Sequence, residues 1–177
     1  VKMPNIRNYG NWDDKEKEGS RLKIEVPKGA EVEFQGVNAN IRVTGVQGSS
    51  KISTVNGSVY GEKLEKFIQL ETVNGEIDSI DNAGRIVLNT VNGEIADQGS
   101  SGRLSIESVN GEIKSQSKAA EIEVSVVNGE ADLTLEGTER LDFSAVNGEI
   151  SADLKGSLAP RISTSTVSGS TTLKLEP

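Results

Sequence analysis

Apolar and polar positions alternate along this chain in short runs, and the runs return at a fixed step. The tripeptide Val-Asn-Gly carries its Asn at Asn56, Asn74, Asn92, Asn110, Asn128 and Asn147, at spacings of 18, 18, 18, 18 and 19. Asn38 in VNANI lies 18 residues before the first, and Ser168 in VSGS lies 21 after the last, so eight copies share one register. Six residues before the Asn stand Val32, Ser50, Ile68, Ile86, Leu104, Ile122, Leu141 and Ile162. Four before it stand Phe34, Ile52, Leu70, Leu88, Ile106, Val124, Phe143 and Thr164, and three after it Ile41, Val59, Ile77, Ile95, Ile113, Ala131, Ile150 and Thr171. Residues two apart share one face of a strand, so the first two sets predict a single buried strand face. The Val immediately before the Asn, from Val37 through Val167, breaks that phase, and the chain is expected to bend there. Stretches between copies, such as SIDNAGR and DQGSSGR, are small and polar and read as turns.

Two architectures answer to this pattern. In a solenoid each copy is one rung, and equivalent residues stack at roughly 4.8 Å, so eight rungs make a rod of about 38 Å. In the alternative each Asn-Gly is a hairpin turn and the copies form an antiparallel meander. Seven long hairpins would need a second layer to cover the sheet, and nothing in the chain supplies one. A solenoid closes its own core at every turn and accounts for the same side chain recurring at the same depth. The reading is therefore all-β: a single-stranded β-solenoid (β-helix) of about eight 18-residue rungs over residues 21–177, after an N-terminal lead-in or cap at residues 1–20. Asn and Gly both tolerate positive φ and suit a sharp corner. Asn38, Asn56, Asn74, Asn92, Asn110, Asn128 and Asn147, if turned inward, would form a structural turn ladder of stacked amides.

Composition narrows the function. The apolar share comes from Val, Ile and Leu, and only six residues are aromatic. A net charge of −8 argues against a nucleic-acid partner and against an anionic membrane surface. No apolar run approaches the length of a transmembrane segment, and no signal segment stands at the Val1-Lys2-Met3 start. The absence of Cys removes disulfides and thiolate chemistry, and the absence of His removes the commonest general base and transition-metal ligand.

Two constellations could carry chemistry. Two residues after the Asn stand Glu76, Glu94, Glu112, Glu130 and Glu149, which a solenoid would place in one outer column. Such a column could attract a cation or ligand, and calcium prefers oxygen donors, but one carboxylate per rung falls short of the six or more it takes. A solvated stripe that blocks lateral sheet association is the simpler reading. Arg85 and Arg103 fall at equivalent positions near Asp81 and Asp97, which reads as a surface ion-pair patch. Tyr60 and Trp12 are outward aromatic candidates, and Phe34 and Phe143 fall in core columns. NGSVYG lacks the Lys-Ser/Thr of a phosphate loop. No catalytic residue, cofactor or metal is assigned.

The segment LKIEVPKGAEVEFQGVNANIRVTGVQGSSKISTVNGSVYG, with its Val26-Pro27 turn and its TVNGEI-type units, resembles the bacterial domain family of unknown function that is labelled as adhesins. The likeness runs from about Leu22 to Leu175. It implies a right-handed solenoid in an extracytoplasmic setting (periplasm, cell surface or secreted) and brings no catalytic set. The expected function is a non-catalytic envelope or surface module, adhesin-like or structural, that presents repeated columns for multivalent binding to an envelope or extracellular ligand, carbohydrate or protein. The alternatives are a polysaccharide-acting enzyme with a β-helix fold and a self-assembling filament scaffold. The last would use end-to-end association, since the final copy ends in Thr171, Leu173 and Leu175 without an obvious cap.

Overall fold

Alternating apolar residues and a period of 18 produce parallel strands rather than hairpins. The computed structural model describes residues 27, 29–156 and 160–176. The lead-in at residues 1–20 and the start of the repeat domain at residue 21 lie outside them. Eleven strands follow in order: β1 Val32–Asn38, β2 Ile41–Thr44, β3 Ser50–Asn56, β4 Val59–Glu62, β5 Glu65–Asn74, β6 Ile77–Ile80, β7 Ala83–Gln98, β8 Ser101–Ser117, β9 Glu121–Glu136, β10 Arg140–Lys155 and β11 Arg161–Glu176. Every pairing is parallel, in the order β1-β3-β5-β7-β8-β9-β10-β11, with β2, β4 and β6 continuing the same coils. Asn38 pairs with Asn56, Asn56 with Asn74 and Asn74 with Asn92, so each copy lies directly over the previous one. The chain is an all-β solenoid of about eight coils of about 18 residues.

The core columns are those the pattern marks. Ile52, Leu70, Leu88, Ile106, Val124 and Phe143 stack four before the Asn, and Ile77, Ile95 and Ile113 stack three after it, all buried. Inward alternation does not stop four before the Asn, however. It runs on to the residue two before, where Thr54, Thr72, Thr90, Ser108, Val126 and Ala145 are buried. The Val just before the Asn keeps strand phase and points to solvent. The bend expected at that Val comes just after it, because the Val and the Asn are both exposed, as Val55 and Asn56 or Val91 and Asn92 are, and inward alternation resumes only at the residue three after the Asn.

The corner also works differently from the expected left-handed Asn-Gly turn. None of the ladder Asn residues has positive φ. Gly75, Gly93, Gly111 and Gly148 likewise lie outside the positive-φ region, whereas Gly57, Gly129 and Gly169 have φ of 137°, 157° and 154°, so positive φ is not common to the corner. What excludes a side chain is the neighbouring coil. A Cβ at Gly93 would overlap the carbonyl oxygen of Gly75, one at Gly75 that of Gly57, and one at Gly111 that of Gly93. Ala39 occupies the same place in the first copy, where no described coil lies beyond it, and a Cβ fits. Glycine is required at the corner because parallel backbones approach there more closely than a side chain allows.

The two ends differ. Val32, Phe34, Ile41 and Val43 of the first coil are half-buried against the core. In β11 the core positions hold Thr164, Thr166 and Thr171, and the Thr166 and Thr171 hydroxyls meet at 3.1 Å. Ile162 and Leu173 remain half-buried there, and Leu175 is exposed. The described residues contain no helix long and apolar enough to cross a membrane.

Candidate functional site

Stacking converts each repeated residue into a column, and three outer columns carry polar chemistry. At the corner the Asn side chains form a continuous ladder in which each Nδ2 donates to the Oδ1 of the previous coil. The distances are 2.9 Å for Asn56 to Asn38 and Asn74 to Asn56, 3.0 Å for Asn92 to Asn74, Asn110 to Asn92 and Asn128 to Asn110, and 3.2 Å for Asn147 to Asn128. The ladder is exposed, not turned into the core. The corner carbonyls need no inward amide, because the backbone ladder continues across it, with Gly57 donating to Asn74 O at 3.1 Å and Gly75 to Asn92 O at 3.2 Å.

Beside the ladder runs the carboxylate column. Glu94 pairs in register with Glu112, Glu112 with Glu130 and Glu130 with Glu149, while Glu76 precedes Ile77, the partner of Ile95. Lys114 neutralises its middle: Nζ lies 2.9 Å from Glu112 and 3.3 Å from Glu94. Hydrogen bonds to Glu112 and Glu94 hold the Lys114 ammonium pKa above its ordinary value. Among the described residues no three carboxylates converge on one point as a metal site would require.

The third feature is a trough of about 500 Å³ on the outer face of the coil segments after the corner. Asp78, Gln98, Lys114, Gln116, Asp132 and Asp153 line it, contributed by successive coils. Its outward positions are polar on nearly every coil. The single exception among its larger side chains is Ile80. At its upstream end Arg42 lies 4.0 Å over the Tyr60 ring, and the Tyr60 hydroxyl donates to Glu62 at 3.1 Å. Desolvation, then the Glu62 hydrogen bond, raises the Tyr60 pKa. The aromatic singled out by sequence is therefore engaged by its neighbours. Trp12 lies outside the described residues.

The segment after the corner hides a polar interior that the turn-like composition conceals. Ser79, Asp97 and Ser115 occupy the same inward position on three successive coils, two residues beyond the buried Ile column. Asp97 is only 4% exposed. Its carboxylate accepts from Ser100 and, at 3.0 Å, from Ser115. Ser79 and Ser100 hydroxyls lie 3.3 Å apart, and Asn82 donates to Ser79 at 2.9 Å. The parity of these residues with Ile77, Ile95 and Ile113 was the available signal, and reading the stretch as a turn missed it. Asp97 therefore does not meet Arg85 and Arg103 in a surface patch. Those two arginines stack on each other outside the opposite strand segment, and Arg103 pairs with Glu121. Asp81 sits at an exposed bend with φ of 50°.

Burial drives the Asp97 pKa upward, against the opposing hydrogen bonds from Ser100, Ser79 and Ser115. The folded chain thus holds this proton more tightly than the unfolded chain, whose Asp titrates near 3.9. The resulting destabilisation is absent below about pH 3.9, grows as pH rises towards the folded-state value and persists above it. Asp97→Asn, which keeps the shape and removes the charge, should raise Tm at pH 7 by a few degrees. That corresponds to about 1 kcal/mol in a chain of this size. Thermal melts of both proteins at pH 3.5 and 7 check this: the gain should vanish at the lower pH.

Comparison of the chain with protein-family models, with curated proteins and with solved structures finds no match. The likeness to adhesin-labelled domains thus stands on the opening segment and the Asn-Gly units alone.

Proposed function

We propose that this chain is a non-catalytic module of the bacterial envelope or cell surface, adhesin-like or structural, that holds a linear ligand by repeated weak contacts. The observation that supports this reading is the polar trough, whose side chains are supplied coil by coil at a spacing of about 4.8 Å. That repeat is close to the length of one sugar residue in an extended glycan, so successive coils can offer polar groups, such as Gln98, Gln116, Thr134 and Asp153, to successive residues. Each contact is weak and the sum is an avidity. The extracytoplasmic setting follows from the resemblance. The acidic column beside the trough favours a neutral glycan, and an acidic one would need calcium to bridge it.

Affinity electrophoresis in gels containing dextran or polygalacturonate, with and without calcium, tests the reading. Retardation without release of new reducing ends is expected, in dextran without calcium. Removing one whole copy, residues 93–110, keeps the register and should weaken the retardation severalfold. Release of oligosaccharides from either polymer would instead establish a polysaccharide-degrading enzyme.

A further inference from the structure

The outer face of the coil segments before the corner carries an apolar column that the rod itself leaves uncovered. Val55, Val73, Val91 and Val109 are each 38–39% exposed, Val146 is 40% exposed, and the end members Val37 and Val167 are 63% and 78% exposed. This is the one position that holds the same residue in all eight copies. Stacking of Val on Val within the rod covers the sides of each residue but not its tip. Beside the column runs a groove of about 320 Å³, with Val73, Val91, Val109 and Val127 on one wall and Glu71 and Glu107 on the other.

We propose that a second copy of this chain covers this face, the two rods lying side by side and antiparallel. A symmetric face-to-face pair has two choices of axis. With the two-fold axis along the rod, each coil meets its own equivalent. The column three before the Asn then sets Glu71 on Glu71 and Glu107 on Glu107. The Val column then falls opposite the column five before the Asn, so Val55 meets Lys51, Val127 meets Glu123 and Val146 meets Asp142. Like charges oppose and valines face charged groups.

With the axis across the rod, each column meets itself while the coil order reverses, first against eighth and fourth against fifth. Val then packs on Val along the whole length, as in a steric zipper. Three before the Asn, Glu107 faces Asn89, Glu71 faces Ser125 and Ser53 faces Ser144. Five before it, Lys51 faces Asp142, Glu123 faces Gln69 and Val87 faces Ser105. No like charges oppose anywhere in these columns, and one pair of opposite charge is made twice by symmetry. A pattern free of clashes in only one of two orientations is what selection for that orientation would leave. Three outward columns over eight coils cover about 700 Å² on each partner from strand dimensions, close to the roughly 800 Å² of a standard stable interface.

The test is the oligomeric state at 0.15 M salt by sedimentation equilibrium. The chain should sediment at twice its 18.8 kDa mass. Val91→Lys/Val109→Lys, placed at the centre of the interface and outside the core, should sediment as a monomer with unchanged circular dichroism. Orientation is read by a bismaleimide spanning about 10 Å, the distance between packed sheets, and the cysteine-free chain gives no background. Ser53→Cys/Ser144→Cys should cross-link into dimers, and Ser53→Cys alone should not. A monomeric parent, a dimer that survives the lysine pair, or cross-linking of Ser53→Cys alone would overturn the proposal. The trough and the carboxylate column lie on the other side of the corner, so neither result depends on what they bind.

Discussion

Replacing Gly93 with Ala should lower the unfolding free energy by about 3 kcal/mol or more, the penalty of forcing atoms into a space with no room to yield. The added Cβ would lie on the carbonyl oxygen of Gly75. That oxygen belongs to the backbone of the neighbouring coil and is held by the parallel ladder on both sides of the corner. Relief would require the coils to separate, which breaks the Asn92–Asn74 amide bond of 3.0 Å and opens the core beneath. Gly137 supplies the control. It has φ of 69°, but nothing lies within 4 Å of an added Cβ. Gly137→Ala should therefore cost only the conformational penalty of about 1 kcal/mol. Urea unfolding of the two variants compares close coil packing with turn geometry directly. Equal costs would mean that the corner glycines serve only as turn residues.

Asn82→Ala should be nearly as damaging, at about 2–3 kcal/mol for a lost set of buried hydrogen bonds. Asn82 is wholly buried at the second corner of the coil. Its Oδ1 accepts from the Leu64 backbone N–H at 2.8 Å, and its Nδ2 donates to Gly61 O at 3.1 Å and to the Ser79 hydroxyl at 2.9 Å. The neighbouring amides of Lys63 and Glu65 reach the adjacent coils, to Ile80 O at 3.0 Å and Val46 O at 3.0 Å. Leu64 is the amide between them, and the Asn82 side chain completes the ladder there. Truncation strands a buried donor and a buried acceptor at once. Amide hydrogen exchange should show Leu64 accelerating far more than its neighbours, together with a lower urea midpoint. Unchanged exchange at Leu64 would mean that its amide finds another partner.

The repeat made the coil legible because a fixed step of 18 places like on like, and parallel stacking then follows from the need to bury Ile68, Ile86, Leu104 and their equivalents together. The carboxylate column was legible for the same reason. What the pattern hid was direction. Val91 is apolar and looks like a break in phase, yet counting by twos from Leu88 passes through Thr90 and leaves Val91 outside. Thr90 is polar and small, so its burial gave no hydrophobic signal. Asp97 was hidden in the same way: a carboxylate in a Ser-rich stretch looks like a turn, and only its parity with Ile95 places it inside. Gly93 suggested a left-handed turn because composition reports conformational freedom and close approach identically. Thr90 and Asp97 share a cause, since hydrophobic periodicity marks the large apolar residues and is silent on small polar ones that face the same way.

Stacking of the copies is the physical claim beneath every column described, and pulsed electron spin resonance measures it directly. Spin labels attached at Glu76→Cys and Glu149→Cys sit four steps apart in the carboxylate column. Measured in a sample diluted with unlabelled chain, coils stacked in parallel should place them about 19 Å apart, at one strand spacing per step. A separation near 38 Å, two strand spacings per step, would show an antiparallel meander with Asn-Gly at hairpin tips and would contradict the account.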